Sequence, residues 1–145
     1  MQEDLPPTPG MLWSLFSLKC PRCRRGKMFV YPNPYKKFSL SYLLKMYDDC
    51  PVCKQRFELE TGFWYGTGYV SYALIVCLSA FTFVLWYLFI GFSLDDDRLL
   101  YWLIFNGVLA IVLQPWLMRF SRVLYLYFFV GYNPRYDKEP TVKFT

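Results

Sequence analysis

The distribution of apolar residues divides the chain into a polar N-terminal part and an apolar C-terminal part. Apolar side chains concentrate between Gly62 and Tyr132, while the first sixty residues carry ten of the 16 Lys and Arg. From Gly68 to Phe92 the chain runs for 25 residues without a charge. A helix of that length measures about 37 Å, and the hydrocarbon core of a membrane is about 30 Å thick. The pattern therefore predicts a transmembrane helix at residues 68–92.

A second apolar stretch at residues 99–118 follows the polar turn at 93–98 and predicts a second, antiparallel span. Pro115 lies inside this stretch and should bend the helix, because proline removes a backbone hydrogen bond. Asn106 and Gln114 also lie inside it and are expected to hydrogen-bond to a partner helix. The apolar run at 119–132 is too short to cross again, so we expect it to lie in the interface or to extend the second helix.

The N-terminal part contains two weaker helical patterns. Residues 11–18 suit one or two helical turns, which either lie on the bilayer surface or cover a small core. Ser39 is a typical N-cap residue, and the apolar side chains that follow it have helical spacing up to Tyr47. A short helix at 39–47 is therefore expected.

Two Cys-Pro-x-Cys motifs, separated by 26 residues, are the main chemical feature of the polar part. They place four thiols in two short turns: Cys20, Cys23, Cys50 and Cys53. Two such turns can deliver four thiolates to one tetrahedral metal ion. Because so short a segment buries little apolar surface, the metal would supply much of its folding free energy. The alternative is two disulfides or four uncoordinated thiols. In the first turn, Gly26 is expected to adopt the left-handed conformation.

These patterns predict four regions. They are a flexible tail at 1–10, a metal-binding module at 11–60, a membrane anchor at 61–132 and a polar tail at 133–145. The expected fold class is a membrane α-helical hairpin with a small zinc-ribbon or rubredoxin-like module.

Zinc is the expected metal and iron the alternative. In rubredoxin a glycine follows the second cysteine of each pair, whereas this chain has Arg24 and Lys54 there.

Composition restricts the chemistry and indicates the orientation. The chain has no histidine, so it lacks the usual general base and any mixed Cys/His zinc site. The hairpin turn carries one basic residue, whereas residues 119–145 carry five, and this asymmetry places both termini in the cytoplasm. The N-terminus lacks a basic region, so we expect no cleavable signal peptide. Thiols facing the cytoplasm stay reduced, which favours metal over disulfides.

Basic residues indicate which partners the chain could have. Arg119 and Arg122 are expected near anionic lipid headgroups. Basic and aromatic residues of the module could rest on anionic lipid or form a face for nucleic acid: Arg22, Arg24, Arg25, Lys27, Phe29, Tyr31, Tyr35, Lys36 and Lys37. Because the module is tethered beside a bilayer, we favour lipid and do not expect nucleic acid as the main partner.

The chain resembles a bacterial membrane family known as domain of unknown function 983. The resemblance covers about residues 12–135 and rests on four segments. They are the first Cys-Pro-x-Cys segment at 20–29, the second at 50–53, the aromatic-rich start of the first span at 60–74, and Arg-Phe-Ser-Arg at 119–122. It implies a short cytoplasmic zinc-ribbon-like module on a two-helix anchor in the bacterial inner membrane. Some relatives are associated with genes for haem-copper oxidases.

The sequence therefore predicts a non-enzymatic accessory or assembly subunit of a larger membrane complex, in a respiratory setting. Its aromatic-rich helices would pack on subunits of that complex, and the metal-binding module would serve as a rigid docking surface. Two alternatives remain open. One is a rubredoxin-like iron electron-transfer protein, and the other is a membrane-tethered zinc ribbon that binds nucleic acid.

Overall fold

The computed structural model describes residues 7–141, so the outer ends of the two predicted tails, 1–6 and 142–145, lie outside the described residues. Its helices are α1 (Met11–Phe16), α2 (Leu40–Leu43), a 3-10 helix (Phe63–Gly66), α3 (Thr67–Phe89) and α4 (Arg98–Phe129). Between the helices, isolated antiparallel bridges join Lys19 to Lys27, Phe29 to Met46, and Asp49 to Arg56. The described chain is thus mainly helical, with three bridges holding the loops of its N-terminal part.

The first predicted span corresponds to α3, which ends at a left-handed glycine. Gly91 has φ of 83°, and its N–H donates to the carbonyl of Tyr87 at 3.1 Å. This is the usual glycine C-cap, which satisfies a carbonyl of the last turn. The helix therefore stops at Phe89, before the predicted boundary at residue 92.

The second predicted span continues as one helix of 32 residues, α4, which is about 48 Å long. It passes through Pro115 and includes most of the run at 119–132, which therefore extends the second helix. Pro115 cannot donate a hydrogen bond to the carbonyl of Ile111. The helix nevertheless continues, since the residues after Pro115 are packed against the N-terminal part of the chain.

The two long helices are antiparallel and are joined by polar side chains as well as apolar ones. Asn106 donates to Ser79 Oγ at 3.0 Å and accepts a hydrogen bond from Thr82 at 3.2 Å. This confirms the expectation for Asn106, whereas Gln114 makes no hydrogen bond to another residue within 7–141. Nearer the N-terminal part, Ser71 donates to Ser121 at 2.7 Å. Hydrogen bonds between apolar helices of this kind contribute roughly 0.6 kcal/mol each.

Both α3 and α4 are long and apolar enough to cross a membrane. Only 6% of the most apolar window of each helix is buried, whereas a helix that is hydrophobic all round in a soluble protein lies in the core. Side chains such as Leu103 and Ile111 are more than half exposed. The outer surfaces of the pair are therefore free to contact lipid or another protein.

The core of the molecule lies where the second half of α4 meets the N-terminal loops. Val123 and Leu126 are fully buried there, in one cluster with the four cysteines. We call residues 7–62, the second half of α4 (115–129) and the segment 130–141 the head. The predicted boundary at residue 61 does not follow this core, because the core includes part of the predicted anchor.

The short helices differ in length from their predictions. In α1, Leu15 is buried in the head, which supports the role of covering the core. Leu12 and Trp13 are exposed, and their contact with a bilayer surface stays a prediction. The predicted helix at 39–47 is reduced to α2 because its second half pairs with another segment. The N–H of Tyr47 donates to the carbonyl of Met28 at 3.0 Å, which requires extended backbone.

Candidate metal centre

Each Cys-Pro-x-Cys motif forms a knuckle closed by the same backbone hydrogen bonds. In the first knuckle the N–H of Arg24 donates to Cys20 O at 2.8 Å, and in the second the N–H of Lys54 donates to Cys50 O at 3.0 Å. A β-bridge closes each hairpin behind the cysteines. The N–H of Gly26 also points at Cys23 Sγ, 3.4 Å away. Each knuckle is therefore a closed hairpin of the same kind, with its two cysteines in the turn.

The two knuckles bring all four sulfur atoms together. All four Sγ atoms lie within 4.8 Å of one another, and two pairs across the knuckles, Cys20–Cys53 and Cys23–Cys50, are each 3.7 Å apart. A tetrahedral ion with metal–sulfur bonds of about 2.3 Å requires sulfur atoms about 3.8 Å apart. A disulfide requires about 2.05 Å, and the cysteines are free. The four residues therefore fit one metal ion.

The left-handed residue of the first knuckle is not the predicted Gly26, and the second knuckle has a left-handed residue at the equivalent position. Arg24 has φ of 57° and Lys54 has φ of 59°, whereas Gly26 does not have a positive φ. Both residues directly follow the second cysteine of their knuckle, the place where rubredoxin has glycine. Gly26 is needed for a different reason, since a Cβ at this position would overlap Cys50 Sγ. The expectation for Gly26 is therefore wrong in its mechanism, and the glycine instead makes room for a ligand atom.

Crowding of the thiols divides them into proton donors and acceptors. The hydrogen bond with Cys20 lowers the pKa of Cys50 to about 7 and holds the pKa of Cys23 far below its usual range. Hydrogen bonds with Cys23, Cys50 and Cys53 raise the pKa of Cys20. Cys20 therefore keeps its proton more readily than a free thiol, whereas Cys23 and Cys50 lose theirs more readily. A metal cation would replace the retained protons and compensate the negative charge.

The site is closed to solvent. Cys20, Cys23 and Cys50 are fully buried, and Cys53 is 6% exposed. The segment after α4 contributes to this closure by folding back on the first knuckle. Arg22, itself 1% exposed, donates to the carbonyls of Glu139 and Pro140 at 2.7 and 2.9 Å.

Part of the predicted polar tail at 133–145 is therefore a component of the head. Besides these contacts, the N–H of Asn133 donates to Arg22 O at 3.1 Å. The guanidinium of Arg24 lies 4.3 Å from the centre of the Tyr132 ring. The segment 130–141 is thus attached to the first knuckle by backbone, charged and aromatic contacts.

Arg119 joins α4 to the N-terminal loops of the head and is not available to lipid headgroups. It is fully buried, and its guanidinium donates to Leu43 O at 2.9 Å and to Tyr31 O at 2.8 Å. It also lies 4.9 Å from the centre of the Phe29 ring. The predicted lipid contact is therefore wrong for Arg119, because the loops of the head take all the surface around it. Arg122 is partly exposed and lies 5.0 Å from the centre of the Trp64 ring.

The basic and aromatic residues proposed as a nucleic-acid face do not form one surface. Arg22 and Phe29 are buried, and Tyr31 stacks on Tyr42 with ring centres 4.1 Å apart. Lys36 and Lys37 are exposed. The residues that are close in sequence thus point into different parts of the head.

Sequence reasoning missed that the second half of α4 belongs to the metal-site core. The signal was present in the spacing of Arg119, Val123, Leu126 and Val130, all of which are buried. Intervals of four, three and four residues place side chains on one helical face. A helix that packs on a protein core is expected to have such a stripe, whereas a helix surrounded by lipid does not need one.

Comparison with known proteins adds no identification. No family model matches the chain, and neither a curated protein nor a solved structure matches it. The resemblance described above therefore stays a prediction, and the function has to be inferred from the four-cysteine centre and the two apolar helices.

Proposed function

We propose that this chain is a non-catalytic accessory or assembly subunit of a larger membrane complex, with a structural zinc ion in its head. The observation that carries the proposal is the closed four-cysteine cluster, whose sulfur atoms lie within 4.8 Å of one another and are almost fully buried. Structural zinc sites have four protein ligands, whereas catalytic sites keep one position open for water or substrate. The cluster therefore suits a folding and docking role.

The proposed location is the bacterial inner membrane, with both termini in the cytoplasm. The first knuckle and the segment 130–141 are in contact through Arg22, which agrees with an even number of spans. The basic residues outside the hairpin turn favour the cytoplasmic side, where thiols stay available for metal. The respiratory setting rests on the family resemblance.

A second candidate is a rubredoxin-like protein that transfers electrons through iron. It is favoured by the geometry of the two knuckles, in which backbone N–H groups approach the sulfur atoms, as at Gly26 and Cys23. Hydrogen bonds to sulfur and burial are the features that tune the potential of an iron–thiolate site. Arg24 and Lys54 occupy the glycine positions of rubredoxin without preventing the left-handed turn.

Metal analysis of the protein purified in mild detergent separates the two candidates. The accessory role predicts one colourless zinc ion per chain, and the electron-transfer role predicts iron with visible absorption. A wild-type protein without bound metal would contradict both. Labelling of a Cys20→Ser variant from the outside of intact cells tests the orientation, since the remaining head thiols should react only after permeabilisation.

The accessory role is tested by the complex that the chain joins. In mild detergent it should migrate in a stoichiometric assembly with integral membrane subunits, and haem absorption in that assembly would support the respiratory setting. The Cys20→Ser variant should leave the assembly while remaining in the membrane. A wild-type chain that is always recovered alone would contradict the accessory role.

A further inference from the structure

An apolar groove of about 380 Å³ lies between the segment 38–43 of the head and α4. Phe38, Leu40 and Leu43 form its head side, and α4 contributes residues from Ala110 to Met118 on the other side. This is the level at which α4 changes from exposed, with Ile111 73% exposed, to buried. With α4 crossing the membrane as proposed above, we place the headgroup region of the inner leaflet at this level. The groove would therefore open towards the lipid at the edge of the inner leaflet.

The lining of the groove is apolar, with polar groups at a few points. Phe38 is 88% exposed and Leu40 is 66% exposed, which is unfavourable for side chains in water. Gln114 lines the groove and makes no hydrogen bond to another residue within 7–141. Pro115 leaves the carbonyl of Ile111 without its helical N–H partner. The groove thus combines a long apolar surface with an amide donor.

The charge beside the groove is positive. Lys36 and Lys37 directly precede Phe38, and both are exposed. Neither forms an ion pair with a residue that the structure describes, and the residues lining the groove include no acidic side chain. A ligand in the groove whose head lies near Phe38 would therefore gain by carrying a negative charge.

We propose that this groove binds one anionic phospholipid. One acyl chain would lie between the segment 38–43 and α4, the amide of Gln114 would donate to an ester carbonyl, and Lys36 and Lys37 would contact the phosphate. The inference rests on the membrane placement proposed above but not on the metal or on a partner subunit. Binding of the lipid would hold the head against the inner leaflet.

The test uses the full chain in nanodiscs that contain equal amounts of phosphatidylglycerol and phosphatidylcholine. After gentle extraction, native mass spectrometry counts the lipid retained on each chain. Wild type should retain one phosphatidylglycerol. Ala110→Phe should retain neither lipid, because the new ring occupies the groove. Val108→Phe is the matched control, since Val108 is 57% exposed on α4 outside the groove.

The double variant Lys36→Gln/Lys37→Gln is an independent test on exposed residues, with Lys27→Gln as its control. It should reduce the preference for phosphatidylglycerol by roughly fivefold for each lysine and leave acyl binding in place. Equal retention of both lipids by wild type, no retained lipid, or a different molecule in the groove would overturn the proposal. Extraction of wild type by alkaline carbonate would instead refute the membrane placement itself.

Discussion

The metal site makes its sharpest prediction at Gly26, which contributes no ligand atom. In the structure a Cβ on this residue would overlap Cys50 Sγ and would also meet Cys23 Sγ at 3.7 Å. Cys50 Sγ has little room to move, because Cys50 is fully buried in the second knuckle. Gly26→Ala should therefore displace a ligand atom while leaving all four cysteines in the chain.

The expected loss of metal affinity in Gly26→Ala follows from the distances around the new methyl group. To regain a normal contact of about 3.5 Å or more, the sulfur and the new methyl group must separate by more than about 1 Å. Metal–ligand distances tolerate deviations of about 0.2 Å, so the site would lose one bond. Changes in residues that only support metal ligands already cost about 10- to 100-fold in affinity. We expect at least about a 100-fold loss for Gly26→Ala, or about 2.8 kcal/mol.

The assay measures metal bound per chain and competition with a chromogenic chelator, using protein purified in detergent. Cys50→Ser gives the reference for a lost ligand, and Gly131→Ala is the control, because a Cβ on Gly131 meets nothing within 4 Å. Gly26→Ala should resemble Cys50→Ser, and Gly131→Ala should resemble wild type. One equivalent of metal at wild-type affinity in Gly26→Ala would refute the placement of Gly26 against the sulfur.

Three further predictions concern the stability of the head and of the helical pair. Cys20→Ser should make the head, including the second half of α4, sensitive to protease without releasing the chain from the membrane, and a wild-type digestion pattern would contradict this. Lys54→Gly should raise the free energy of unfolding of the head by about 0.5–1 kcal/mol in denaturant titrations, because glycine removes the cost of the left-handed conformation. Lys54→Ala keeps that cost and should show no gain. Gly66→Ala should lower the free energy of unfolding by about 1–3 kcal/mol, since its methyl group would overlap the Tyr125 ring; Gly68→Ala, which meets nothing within 4 Å, should not lower the Tm.

Several features could be predicted from the sequence because each depends on local order along the chain. The uncharged run from Gly68 to Phe92 predicts a long apolar helix whatever surrounds it, since backbone hydrogen bonds within the helix satisfy its polar groups. The spacing of Cys20, Cys23, Cys50 and Cys53 predicts a cluster, because two short knuckles present paired thiols in few ways. The structure has both features.

Other features depend on contacts between distant segments, and local patterns do not contain them. Arg119 was predicted to face lipid, yet it bonds to carbonyls 76 and 88 residues away in the chain. Gly26 was assigned to a turn, yet the reason for a glycine there is Cys50 Sγ on the other knuckle. The sequence by itself thus determined two apolar helices and four clustered thiols. Only the tertiary structure decided that half of α4 and the segment after it belong to the metal-site core, because burial depends on which surfaces meet.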